Sequence, residues 1–229
     1  MLGKRELINQ SNGNRQVAFL LENCPNTLYN IAQMHNNSKF KDDTIKKIIF
    51  EIGNALLFIH QNNFIHGNIT QEHILLGGDN KLKIGELGCC VHERNFSQST
   101  GLELLISPVN KPPEMKSLEY KLSYKMDIWQ LGRLLHLLIM KSEPILEDES
   151  YSTLNSPLVN IARACLKQNP NERPTIAEVL QMITSIQPTK SKEEKLLSIN
   201  QTLNSLQTEE KQIPKPPEQG KPKSGLGTK

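Results

Sequence analysis

Apolar positions fall into a short series of blocks whose spacing changes along the chain. Glu6 to Asn9 and Gln16 to Glu22 are short runs on either side of SNGN, which predicts a hairpin. Asn26 to Met34 reads as a short helix. Ile45, Ile48, Ile49, Ile52, Leu56 and Ile59 recur at helical spacing. They predict a long helix, capped by Asp42 or Asp43 and ending near Asn62 and Asn63. His73 to Leu76 and Lys81 to Ile84 read as two strands around GGDN. Tyr124 to Met140, with its LGRLLHLLIM run, is apolar on most faces, which predicts a helix buried at the domain centre. Pro157 to Leu166 and Thr175 to Ile186 give two more helices, joined by NPNERP. The class expected is mostly α, of the α+β kind.

Two stretches break the pattern. Glu86 to Glu114 has little periodicity and reads as a long loop, a kind of segment that usually carries function. After Gln187 the chain turns polar. Leu196, Ile199, Leu203 and Leu206 form a short heptad-like seam within Lys190 to Lys211. Gln212 to Lys229, rich in Pro, Lys and Gly, predicts disorder, and its PKPPEQGKPK reads as a linker.

Composition narrows the class. A chain of 229 residues with 37% hydrophobic content can bury one sizeable core. The formal net charge is +3. From Gln187 onward eight lysines face five glutamates, so the tail carries the whole excess. A near-neutral body argues against nucleic acid as a partner. The four cysteines, Cys24, Cys89, Cys90 and Cys165, form no CxxC pair, and adjacent Cys89 and Cys90 cannot bridge without strain. That usage predicts a reduced, cytoplasmic protein. His92 beside them leaves a metal ligand set incomplete. His60, His92 and His136 read as packing or surface residues. The N-terminus has no apolar core and no run reaches ~18 apolar residues, so neither a signal peptide nor a membrane span is expected.

Five motifs then occur in order. FIHGNITQEHILL at Phe64 to Leu76 resembles the catalytic loop of protein kinases, HRD followed five residues after the Asp by Asn. KIGELG at Lys83 to Gly88 resembles the strand ending in DFG, and PPE at Pro112 to Glu114 resembles APE. DIWQLG at Asp127 to Gly132 resembles the Asp-x-Trp-x-x-Gly of the central helix, and CLKQNPNERPT at Cys165 to Thr175 resembles the segment with the family's late Arg. The resemblance covers residues 5–186 and implies a protein-kinase-like fold with a large helical C-terminal lobe and an incomplete small lobe. Its parts are a small-lobe remnant (5–22), a hinge (22–25), the large lobe (26–186) and a tail (187–229). It starts at about the fourth strand of the small lobe, so the Gly-rich loop, the strand Lys and the αC Glu have no counterpart in it.

The scaffold positions of the family match. His66 and Asp127 are implied to hold the catalytic loop, and Glu114 and Arg173 to pair beneath the substrate loop. Trp129 and Gly132 are implied packing positions. Leu21 would be the gatekeeper, Glu22 to Cys24 the hinge, and Leu75 the leucine under the adenine. The positions for phosphoryl transfer do not match. The HRD Asp is Asn68, and an amide cannot accept a proton at neutral pH. The loop Lys is Thr70. The second Mg²⁺ ligand is His73, and imidazole suits hard cations poorly. The DFG Asp is Glu86, a carboxylate one methylene longer and the remaining candidate Mg²⁺ ligand; a displacement of that size can cost ~10²-fold in rate. The DFG Phe is Leu87, an apolar residue able to pack in its place. The HRD Arg is Gly67, so phosphate on Ser97, Ser99 or Thr100 would lack its usual reader.

The HGN loop is similar to those of the Scy-like proteins and the Janus pseudokinase domain. DIWQLG and NPNERPT look more like the Ser/Thr kinases. The implied function is a pseudokinase, a protein-binding or scaffold module with a protein partner and no resident cofactor. The alternative is a weak or atypical Ser/Thr kinase, with Glu86 on Mg²⁺ and ATP in a half pocket of Leu21, Glu22, Cys24 and Leu75. A third reading, overlapping both, is a piece of a longer kinase.

Overall fold

The computed structural model describes residues 3–8, 15–34, 40–95, 106–117, 120–142 and 156–187. The leucine seam, the Lys/Pro-rich tail and the three candidate phosphate acceptors lie outside the described residues.

Strand β1 (Gly3–Ile8) pairs antiparallel with β2 (Arg15–Leu20), Gly3 opposite Leu20, as the SNGN turn predicts. A two-residue strand β3 (Asn26–Thr27) leads into helix α1 (Leu28–Met34). The expected helix therefore begins two residues late, because Asn26 and Thr27 pair with Leu76 and Leu75 of strand β5 (Ile74–Leu76). Strand β6 (Leu82–Ile84) completes that three-stranded sheet, in the order β3-β5-β6. His73 is not strand; it ends a short 3₁₀ turn from Gln71.

Helix α2 (Asp42–Gln61) follows its isoleucine pattern, and Ile45, Ile49, Ile52 and Leu56 are fully buried. Neither Asp42 nor Asp43 caps it. Lys41 is the N-cap residue, whose carbonyl accepts from Thr44 and Ile45, and both aspartates lie in the first turn, where the helix dipole favours negative charge. Helix α3 (Lys125–Met140) is the buried central helix predicted from its all-round apolarity. Helices α4 (Pro157–Cys165) and α5 (Ile176–Ser185) pack beside it and α2 respectively. Thr175 closes α5 with a capping box through Glu178.

The expected long loop after Glu86 is partly built. Strand β7 (Val91–His92) pairs with β4 (Phe64–Ile65), and short 3₁₀ turns span Leu87–Cys89, Pro108–Asn110 and Pro113–Lys116. Two apolar clusters result. The larger unites α1, α2, α3, α4 and α5; the smaller gathers Ile65, Cys89, Val91, Ile106, Met115 and Met126 between the loop region and the start of α3. The helix-rich α+β architecture with an incomplete small lobe is thus the one the sequence implies. No helix among the described residues is long and apolar enough to cross a membrane.

Gly132 sets the approach of α3 to α4. A Cβ there would lie 2.5 Å from Cys165 Cβ and 3.3 Å from its carbonyl carbon, both on rigid parts of the partner helix. Gly132→Ala is therefore expected to destabilise the fold by about 1–3 kcal/mol through overpacking. Urea unfolding would show this as a lower midpoint at unchanged slope.

Candidate functional site

The site forms where β4 runs out and the chain crosses the first turn of α3. Residues 66–69 have no strand partner, so their backbone groups need others. Asp127, wholly buried, accepts from the backbone N–H of His66 and of Gly67, each at 2.8 Å. His60 Nε2 is 2.9 Å from the same carboxylate. The Asn68 N–H donates to His66 Nδ1 (3.3 Å), and His66 Nε2 donates to the Gly85 carbonyl (2.8 Å), which fixes the ring as its neutral Nε2–H tautomer. The Ile69 N–H donates to Gln130 Oε1 (2.9 Å). Gln130 Nε2 donates in turn to the carbonyls of Gly67 (2.8 Å) and Asn110 (3.1 Å). His73 Nδ1 donates to the Asn68 carbonyl (2.9 Å).

Asn68 itself is 7% exposed. Its Oδ1 accepts from Asn110 Nδ2 at 3.0 Å, and its Nδ2 faces Cys89 Sγ at 4.0 Å. Thr70 adds nothing to the site: its hydroxyl is buried without a hydrogen-bond partner. Glu86 is exposed and left-handed, at φ 56° and ψ 48°. Leu87 does not pack; it is 60% exposed. It does not fill the role of a buried aromatic, because the left-handed turn at Glu86 carries the next residue outward.

The hinge residues form a separate group. Leu21 is 63% exposed. Glu22 pairs with Lys83 of β6, and Lys83 also reaches Asp79 at 3.5 Å. Those contacts raise the Lys83 pKa, first of all the hydrogen bond that its ammonium donates to Glu22. Cys24 is half-buried and free, its thiol pushed up by burial and then by Glu22. Leu75 is half-buried in β5. Of the two positions implied to face Mg²⁺, Glu86 offers a carboxylate, whereas His73 offers an imidazole that spends its Nδ1 on the loop backbone. No group of three candidate metal ligands occurs among the described residues.

A second polar centre lies under the Pro113–Lys116 turn. Arg173 is fully buried, and all five of its N–H donors are used. Nη1 and Nη2 bind Glu114 as a fork at 2.7 and 2.6 Å. The rest go to the carbonyls of Lys125, Lys167 and Gln168. Trp129 is buried on α3, and Gly132 follows about one turn later.

Three residues in the site lacked a role in the sequence reading. His60 reads from sequence as a packing or surface residue, yet it binds Asp127. Gln130 and Asn110 carried no motif role, although both are wholly buried. The available signal was the polar series Asp127, Gln130, Arg133 and His136, every third residue along a helix otherwise apolar on all sides.

Comparison with known proteins bears on these positions. Residues 6–183 match the family model of the protein kinase domain. An Aurora kinase of Debaryomyces hansenii is 30% identical over 157 residues, covering 62% of this chain and 38% of the relative. An Aurora kinase of Schizosaccharomyces pombe is 31% identical over 151 residues, with 62% and 39% covered. Aurora kinase A-B of Xenopus laevis is 29% identical over 185 residues, with 72% and 43% covered. The chain thus spans about two fifths of the length of these relatives.

Two substitutions test the geometry. Glu114→Ala leaves the buried Arg173 fork without its carboxylate and is expected to cost about 3–5 kcal/mol; Glu114→Gln, which keeps one acceptor, costs less in the same denaturation experiment. Gly67 has φ 85°. Gly67→Ala is expected to cost about 1–2 kcal/mol from left-handed strain alone, with the ordering seen as a lower thermal midpoint.

Proposed function

We propose that this chain, which belongs to the protein kinase domain family, is a catalytically impaired member that works by presenting its large-lobe surface to a protein partner. The observation that carries the reading is Asn68. At the position that needs a carboxylate to orient a hydroxyl, the chain has a buried amide already bound to another side chain. Three further substitutions support it. Thr70 offers no cation, His73 serves the loop backbone, and Glu86 stands exposed at the surface. The scaffold that would shape a partner surface is retained, in Asp127, His66, Glu114 and Arg173. Four free cysteines support a cytoplasmic setting.

The second reading is a weak or atypical Ser/Thr kinase, favoured by the retained carboxylate at Glu86 and by the named activity of the relatives. On that reading ATP would lie against Leu21, Glu22, Cys24 and Leu75, with the rest of its pocket supplied by protein outside residues 5–186. The chain would then be part of a longer kinase.

A thermal-shift titration with ATP, with and without Mg²⁺, separates the two. A ligand at 100 times its Kd stabilises a fold by about 2.7 kcal/mol, and on a domain of this size that is a shift of roughly 5–10 °C. No shift is expected. A Mg²⁺-dependent shift, followed by phosphate transfer that is lost in Glu86→Ala, would overturn the proposal.

A further inference from the structure

We propose that Asn110 is a latch: it closes the 106–117 segment over Asn68, fills the place a substrate hydroxyl would need, and holds the segment down without a phosphate. That it blocks a hydroxyl rests on the assignment of Asn68 made above; the hold on the segment does not.

Asn110 is wholly buried, in a segment made otherwise of loop and single 3₁₀ turns. Four of its polar groups have partners. Its N–H donates to the Ser107 carbonyl (2.8 Å), and its own carbonyl accepts from Gln130 Nε2 (3.1 Å). Its Oδ1 accepts from Arg133 Nη1 (3.4 Å), and its Nδ2 donates to Asn68 Oδ1 (3.0 Å). The guanidinium has no acceptor. It therefore fixes which end of the Asn110 amide is oxygen, and the nitrogen must face Asn68. Asn68 then has to turn its oxygen toward Asn110 and its nitrogen toward Cys89.

The consequence is steric as well as electronic. The side-chain oxygen that a hydroxyl donor would seek already accepts from the chain's own segment, and residue 68 is left 7% exposed. The segment is also held at a second point, by Glu114 on Arg173. Its fixed position draws on amides and a buried ion pair. No phosphate-binding arginine is needed, and Gly67 could not serve as one.

The latch covers a native reporter. Cys89 packs in the smaller cluster with Ile106 and Met115, both from the segment, and is 6% exposed. Its thiol is pushed up by burial, so it reacts slowly while the segment is closed. Cys165 sits in the larger cluster, its pKa pushed up to about 12, and reacts only when the whole domain opens.

The experiment is thiol labelling of the full chain by an alkylating reagent, read peptide by peptide by mass spectrometry. Removing one partner of a buried amide pair should raise local opening about tenfold. Asn110→Ala is expected to speed labelling of Cys89 at least that much, with Cys165 unchanged. Unchanged Cys89 labelling in a folded Asn110→Ala chain overturns the latch. If both thiols react, the variant has unfolded globally, and Asn68→Leu, which removes the acceptor but keeps the side-chain volume beside Cys89, decides instead. It keeps the Gln130 and Arg133 contacts, and it must show the same selective exposure of Cys89 or the latch is refuted. Phosphate transfer by the wild-type chain would refute the proposed function without touching this result.

Discussion

The carboxylate of Asp127 is the fixed point of the molecule. It is fully buried, in the first turn of a helix that is itself enclosed, and a buried acceptor of this kind is tolerable only when donors surround it. It has three: the backbone of His66 and of Gly67, and the ring of His60. The loop in return has no sheet or helix ladder of its own. Its four successive N–H groups, from residue 66 to 69, are met by Asp127 twice, by His66 and by Gln130. A stretch of irregular backbone is thus held by side chains of the central helix. Any change in the rotation of α3 would release three of the four donors together, those of His66, Gly67 and Ile69.

The second clamp acts on a different segment by the same logic. Arg173 has five donors and five acceptor atoms from four residues, so its burial leaves nothing unpaired. An ion pair of this kind contributes little net stability over an apolar replacement, but breaking it from one side is costly. Its value lies in placement. It fixes Glu114 and the 3₁₀ turn around it to the chain between α4 and α5. Asn110, four residues earlier, is fixed to α3. Between them the two clamps leave the 106–117 segment little freedom.

What could be read in advance follows from the range of the interactions. The period of Ile45 to Leu56 gave α2, because a helix face is a local property of sequence. The all-round apolarity of Ile128 to Met140 gave a buried α3 for the same reason. The cap of α2 lies one residue before the aspartates that sequence favours. Asp42 and Asp43 are good cap residues by type, but the backbone turn occurs at Lys41, and the acids serve the dipole instead. The strand at Asn26 was missed because its partner is Leu76, fifty residues away. The site divides in the same way. Motif order brought forward His66, Asp127, Glu114 and Arg173. It could not bring forward His60, Gln130 or Asn110, whose partners lie 67, 61 and 42 residues distant. A polar residue in an apolar helix announces that a partner exists. It does not say which.

The amide at position 68 also has a physical reason to stay an amide. The orientation passes along a chain of donors and acceptors from Arg133 through Asn110 to Asn68, and ends at Cys89. Each link requires one end that gives and one that takes. A carboxylate at 68 would still accept from Asn110, but its second oxygen would lie in a closed site with only a weak thiol donor opposite. Burying that charge without a strong partner is costly, whereas burying the amide is not. Placing a carboxylate at position 68 would therefore take more than one substitution. The closed segment, the Asn110 contact and the buried position of residue 68 would all have to change with it. The residues that hold the loop and the amide at position 68 thus belong to one network, in which neither can be changed without the other.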